Sequence, residues 1–218
     1  MNLNTLNDIA SELFAALGEQ KTIQPLTDKY PEMDINDAYK ISRKFLSLRE
    51  AQGEKVIGKK IGVTSPVVQE MLGVNQPDFG FLTNKMYLKN ASNFSIENAL
   101  IQPRAEAEIA FVLKEDILGP GITKEDIISA TDKIFPCFEI VDSRIDNWKI
   151  KLQDTIADNA SCVIFVIGYG ACAPDQFSMD ELEVCLFSTS DAADDPLRYL
   201  SGGRRLSSTP LRTCDDLS

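Results

Sequence analysis

The sequence predicts an α+β protein, with helices first and strands after them. Three observations carry that expectation. Apolar residues recur at three- and four-residue steps over the first fifty positions. Short β-branched runs follow, cut by glycine and proline. One helical stretch interrupts those runs, and no internal repeat is visible.

Leu3, Leu6, Ile9, Ala10, Leu13, Phe14 and Leu17 share one helical face, and Gly18 stops that helix. A second helix sets Ala38, Ile41, Phe45 and Leu48 on its apolar side, with Gly53 past its end. "KVIGKKIGVT" is β-branched and glycine-punctuated, hence a strand. In "SPVVQEMLG", Ser65 is placed to cap a short helix, Pro66 to occupy its first position and Gly73 to end it. "NQPDFGFL" reads as a loop from its Pro, Asp and Gly. "AEAEIAFVL" reads as a strand and "GPGI" as a turn. "TKEDIISATDKI" reads as a helix with Thr123 as N-cap and acids in its first turn. "FPCFEIV" and "SCVIFVIG" complete the strands. The end of the chain differs: residues 191–218 hold four arginines and no lysine, against 14 lysines and four arginines in residues 1–190. This tail also lacks Ile, Val, Phe and Met and has no period, which marks a poorly ordered or foreign segment.

Composition narrows the function. With 218 residues, the chain can form one good-sized domain. A net charge of -11 argues against a nucleic-acid surface and against docking to anionic lipid. "MNLNTLNDIASELFAALGEQ" has no basic region leading into an apolar run, so it does not read as a signal peptide. No apolar run approaches the roughly 18 residues of a membrane span. Five cysteines without a CxxC pair read as reduced thiols in a cytoplasmic protein, with no zinc site. Histidine is absent altogether, which removes Ser-His-Asp and Cys-His catalysis and His-ligated metals. Carboxylates, lysines, hydroxyls, backbone groups or a hard cation must carry any chemistry.

One motif is a decoy. Residues 53–60, "GEKVIGKK", nearly match a P-loop, but Lys60 stands where Ser or Thr must hold Mg²⁺. The motif also follows a helix and enters a strand, the reverse of what a P-loop needs.

"IQPRAEAEIAFVL" poses a sharper question. Glu106 and Glu108 point to one face of a strand, about 7 Å apart along it. Ala105, Ala107, Ile109, Phe111 and Leu113 form the other face, which suits a core. The two acids describe either the wet face of an edge strand or half of a cation site. Glu139, between Phe138 and Ile140, is a third acid in an apolar run. It is either salt-bridged to Arg104, Arg144 or a lysine, or metal-bound. Three carboxylates without histidine suit a hard divalent cation, Mg²⁺ or Mn²⁺.

"VIGKKIGVTSPVVQEMLGVNQPDFGFLT", "IQPRAEAEIAFVLKEDILGPGIT" and "PCFEIVDSRIDNWKIKLQDTIADNASC" together resemble the 2-hydroxypenta-2,4-dienoate (2-oxopent-4-enoate) hydratases of bacterial aromatic meta-cleavage pathways, within the fumarylacetoacetate hydrolase superfamily. The match runs from the N-terminus to about residue 170. The resemblance implies a mixed β-sheet roll with an N-terminal helical part. It places an N-terminal helical region at residues 1–55, a catalytic β-rich domain, incomplete at its C-terminal end, at 56–190, and the atypical tail at 191–218. It implies Glu106, Glu108 and Glu139 as metal ligands, Lys60 and Asp78 as catalytic residues and Ser161 as a substrate-binding residue. The implied substrate is a 2-oxo or 2-hydroxy dienoate and the implied assembly a homo-oligomer, with a possible complex with a pathway decarboxylase or aldolase. A related 4-oxalocrotonate (2-oxo-3-hexenedioate) decarboxylase and a truncated, inactive relative serving as an interaction subunit are the alternatives. After about Gly170 the family pattern is lost.

Overall fold

The computed structural model describes residues 1–90, 94–96 and 99–176. The tail at 191–218 lies outside the described residues. The fold is α+β. The described residues form two compact units: Met1–Glu106 with Glu139–Val166, and Ala107–Phe138 with residues 167–176.

The first unit begins with helix α1 (Leu3–Glu19), a short turn of helix α2 (Leu26–Lys29) and helix α3 (Ile35–Ala51). Asn2 caps α1 by accepting the Thr5 N–H at 2.9 Å, and Asp34 caps α3 by accepting that of Asp37 at 2.7 Å. The three- and four-residue apolar spacing puts Ile9 and Leu13 of α1 against Ile41 and Phe45 of α3, all fully buried. Each such side chain contributes about 1.5–3 kcal/mol of burial. Ile145 and Ile156 extend this core from the later chain. Buried Asp154 fastens α2 by accepting the Thr27 N–H at 2.9 Å and its hydroxyl at 2.8 Å.

Strand β1 (Val56–Gly62) and strand β2 (Asp78–Thr83) pair antiparallel around helix α4 (Pro66–Leu72). Helix α4 has Ser65 at its N-cap and left-handed Gly73 at its end, as the sequence predicts. The expected loop "NQPDFGFL" is corrected: from Asp78 onward it is strand. The turn residues set where pairing starts, and Phe79, Phe81 and Thr83 supply the strand-forming side chains.

A second sheet has the order β3 (Pro103–Leu113), β4 (Thr131–Asp142), β5 (Cys162–Ile167). Before β4 lies helix α5 (Lys124–Ala130), opened by a capping box in which Thr123 and Asp126 bond reciprocally. This helix is shorter than the sequence suggests: at Thr131 the backbone turns extended, and the β-branched and aromatic run that follows stays in the ladder. Helix α6 (Leu152–Ala157) precedes β5. The β3 face expected to form a core is also corrected: Ile109, Phe111 and Leu113 are exposed. No helix among the described residues is long and apolar enough to cross a membrane.

Candidate metal centre

The β1–β2 register decides which lysine faces inward. Lys60 is opposite Gly80 and Gly62 is opposite Asp78, so Lys60 and Asp78 share one face while Lys59 takes the other. Lys60 and Asp78 are largely buried, and Lys59 is exposed. Gly62 leaves room for both: a Cβ there would press on Asp78 Oδ1 and Lys60 Nζ and force one of them to shift.

The three acids converge. One carboxylate oxygen each from Glu106, Glu108 and Glu139 lies within 4.8 Å of the others. Oxygens sharing one hard cation at 2.0–2.6 Å bond lengths lie about 3–5 Å apart, so the cluster can close on an ion with little movement. Glu106 and Glu108 are exposed on β3; Glu139 on β4 is only 4% exposed. Lys60 Nζ stands 3.3 Å from Glu139 Oε1, a buried ion pair. Of the cationic side chains expected beside Glu139, it is the lysine that pairs with it. Arg104 instead stacks on Trp148 at 4.3 Å, and Arg144 pairs with Asp158. The ion pair is not aligned as a hydrogen bond, and Glu139 Oε1 and Asp78 Oδ1 are buried without a hydrogen-bond partner among the described residues. Such orphaned oxygens are costly to keep unless something else engages them. An all-oxygen set with an unsatisfied buried carboxylate fits a hard divalent cation.

The electrostatics agree. Burial alone would lower the Lys60 pKa, but Glu139 and then Asp78 outweigh it and hold the ammonium above its ordinary value. Burial pushes the Asp78 carboxyl up; Lys60 opposes this and Glu139 adds to it. Solvent still touches the Glu106 side chain, yet crowding by protein raises its pKa, with Lys60 opposing and Glu139 reinforcing. Burial, followed by the charge of Glu139, holds the Cys162 thiol well above the usual range. Too many acids therefore crowd one lysine, which is the electrostatic setting a divalent cation relieves.

A turn after α6 brings in the last elements. Asn159, Ala160 and Ser161 all take left-handed backbone, with φ of 56°, 49° and 56°. Non-glycine residues rarely do this once, so three in succession need support. Buried Arg144 and Asp158 supply part of it: Nε meets the carboxylate at 2.5 Å, and Nη2 donates to the Asp158 carbonyl at 2.7 Å. Burial pushes the Asp158 carboxyl up to about 6, against the pull of Arg144. The turn presents the Ala160 carbonyl to Lys60 Nζ at 3.2 Å. Ser161 is buried, its hydroxyl 3.4 Å from that of Thr155.

The structure thus gathers Glu106, Glu108 and Glu139, and sets Lys60 and Asp78 beside Glu139. Ser161 ends the turn that touches Lys60. Sequence reasoning missed Gly62, Gly80 and Asn159. Their signal was present in "GKKIG", "DFGF" and "ADNAS", but glycines and an amide show their purpose only once strand register is known.

No family model matches the chain. Over 179 residues it is 52% identical to a 2-hydroxypent-2,4-dienoate hydratase of Pseudomonas putida, covering 82% of this chain and 81% of that relative. The chain belongs to the 2-hydroxypentadienoate hydratase family. A 2-hydroxyhexa-2,4-dienoate hydratase of Comamonas testosteroni is 62% identical over 157 residues, which span 72% of this chain but 60% of that relative's length. A 2-keto-4-pentenoate hydratase of Paraburkholderia xenovorans (strain LB400) is 40% identical over 179 residues, covering 82% of this chain and 66% of that relative. Among solved structures, the 4-oxalocrotonate decarboxylase from Pseudomonas putida G7, complexed with magnesium and adipate, superposes with a TM-score of 0.76 at 32% identity. That match covers 79% of this family member and 65% of the decarboxylase. The same enzyme complexed with calcium and acetate gives 0.75 at 31% identity, with the same coverage.

Proposed function

We propose that the chain is a metal-dependent hydratase, a lyase that adds water to 2-hydroxypenta-2,4-dienoate (2-oxopent-4-enoate) to give 4-hydroxy-2-oxopentanoate in aromatic meta-cleavage catabolism. The observation that carries this reading is the three-carboxylate cluster with Lys60 paired to its buried member. Family membership supports the substrate class. In this reading the catalytic part is residues 56–190, the sheet closes as a roll of the fumarylacetoacetate hydrolase type, and the protein is a cytoplasmic homo-oligomer. The possible complex with a pathway decarboxylase or aldolase belongs to the same reading.

Glu106, Glu108 and Glu139 would hold Mg²⁺ or Mn²⁺. When bound, the cation supplies Lewis-acid stabilisation of negative charge on the substrate's C2 oxygen. Lys60 holds a proton in a buried place and moves it towards C5, while the enol proton leaves the C2 oxygen. The resulting 2-oxo-3-ene takes the oxygen of water at C4 and a proton at C3. Asp78, carrying a buried oxygen without a hydrogen-bond partner among the described residues, orients that water. Ser161 lines the substrate site.

The decarboxylase reading is the alternative, and the likeness to a solved 4-oxalocrotonate decarboxylase is what keeps it in view. Following both candidate substrates by NMR with added Mg²⁺ or Mn²⁺ separates the two. The expected result is 4-hydroxy-2-oxopentanoate from the dienoate, with loss of turnover on chelation. CO₂ release without a 4-hydroxy-2-oxo acid would reverse the choice, and no turnover by folded, metal-loaded protein would favour the interaction-subunit reading.

A further inference from the structure

We propose that the left-handed turn at residues 159–161 is a positioning device for Lys60, with Asn159 as its latch and Gly80 as its keeper. The inference rests on the reading of Lys60 as the residue that moves a proton.

The device is built from three contacts with the β1–β2 hairpin. The Asn159 side chain grips one residue of β2 at both ends: its Oδ1 accepts the Phe81 N–H at 2.8 Å, and its Nδ2 donates to the Phe81 carbonyl at 3.0 Å. An amide is the side-chain group that can accept and donate in parallel to a peptide, so the grip copies a ladder pair. Next to it, Gly80 allows the turn to lie on the strand, since a Cβ there would come within 2.6 Å of the Asn159 carbonyl oxygen. One residue on, the Ala160 carbonyl accepts from Lys60 Nζ.

These contacts share one register. Gly80 is the ladder partner of Lys60, and Phe81 follows it. A turn latched to Phe81 and resting on Gly80 therefore delivers its next carbonyl to the lysine directly across the hairpin. Lys60 has four side-chain torsions and would otherwise be free to swing. The carbonyl takes one of its three N–H directions, and the charge of Glu139, 3.3 Å away, holds the ammonium from another side. The backbone strain of three consecutive left-handed residues fits this role, because a relaxed turn would aim the Ala160 carbonyl elsewhere.

The test uses the full chain in three forms: unmodified, Asn159→Ala and Gly80→Ala. Asn159→Ala removes the latch, and Gly80→Ala pushes the turn off the strand while leaving Asn159 intact. The first readout is the ¹⁵N–¹H signal of the Lys60 ammonium, assigned by its loss in Lys60→Arg. It needs no turnover, so it stands apart from the hydratase reading. The expected result is a slowly exchanging signal in unmodified protein that is broadened or lost in both variants. The second readout is turnover of the dienoate, expected to fall about 10- to 100-fold in kcat, the scale of a roughly 1 Å misplacement, with KM changed less than about threefold. A Lys60 signal unchanged in folded Asn159→Ala and Gly80→Ala overturns the inference. So does loss of kcat only in proportion to loss of folded protein, measured by thermal melting. An unmodified chain that shows the ordered Lys60 signal but hydrates nothing contradicts the hydratase reading and leaves the positioning inference standing on its first readout.

Discussion

Glu106→Ala is expected to weaken Mg²⁺ or Mn²⁺ binding by more than about 100-fold, since even loss of a residue that merely orients a ligand costs about 10- to 100-fold. Hydration of the dienoate falls with it. Glu106 is the cleanest of the three acids to remove. Its side chain is exposed on β3, so its loss leaves no cavity. Its carboxyl is also raised, by burial first, with Lys60 opposing and Glu139 and Asp78 adding to the rise. The surroundings as a whole therefore disfavour its charge, and the stability of the metal-free protein should stay within about 0.5 kcal/mol of the unmodified chain or rise when it is removed. Glu139→Ala would be harder to read, because it leaves the largely buried Lys60 without its counter-charge. Calorimetric titration of the metal into both proteins, with urea unfolding alongside, checks the two halves of this expectation. A large loss of stability in Glu106→Ala would mean that the acid supports the sheet rather than a cation.

Asp158→Ala is expected to destabilise the protein by about 3–5 kcal/mol. Arg144 is fully buried, and its guanidinium is committed on every side: Nε to the Asp158 carboxylate, Nη1 to the Asp142 carbonyl at 2.6 Å, Nη2 to the Asp158 carbonyl. The Asp158 carboxylate also accepts the Arg144 N–H at 2.9 Å. Truncating Asp158 strands a cation in the interior. Asp158→Asn keeps an acceptor and should cost less. Replacing both partners with apolar residues should recover part of the loss, since no buried charge remains, although two carbonyls then lose their donors. Urea denaturation of the three variants gives the ordering. A single Asp158→Ala variant as stable as the unmodified chain would show that water reaches Arg144.

The helical layer was legible because burial there follows one period. Ile9, Leu13, Ile41 and Phe45 are spaced for a single helical face, and that face is the core. The short helix α4 was legible for a different reason: Ser65, Pro66 and Gly73 are position-specific chemistry at its two ends. Strand β2 was not, because Pro77, Asp78 and Gly80 read as loop residues. Two of them have positional duties instead, Asp78 facing Lys60 and Gly80 making room for the turn. The apolar face of β3 misled for the opposite reason. Alternation tells which residues share a face, but not what, if anything, covers it.

The candidate site was half legible. Two acids at a two-residue spacing must share a strand face, and that much is local geometry. That Glu139 joins them depends on β4 lying beside β3; the pattern left it as one of two readings, and the resemblance implied it as a ligand. The Lys60–Glu139 pair shows why the two sequence readings of Glu139 were not exclusive: the acid is salt-bridged and also sits in the cluster. Asn159 stayed hidden because its partner is a backbone segment 78 residues away, which no local pattern encodes.

The most direct test is to locate Mn²⁺ in crystals of the unmodified chain by its anomalous scattering. The account predicts one ion bonded at about 2.0–2.6 Å to a carboxylate oxygen from each of Glu106, Glu108 and Glu139. An ion bound elsewhere, or these three carboxylates turned apart with Glu139 held by Lys60 alone, would contradict it.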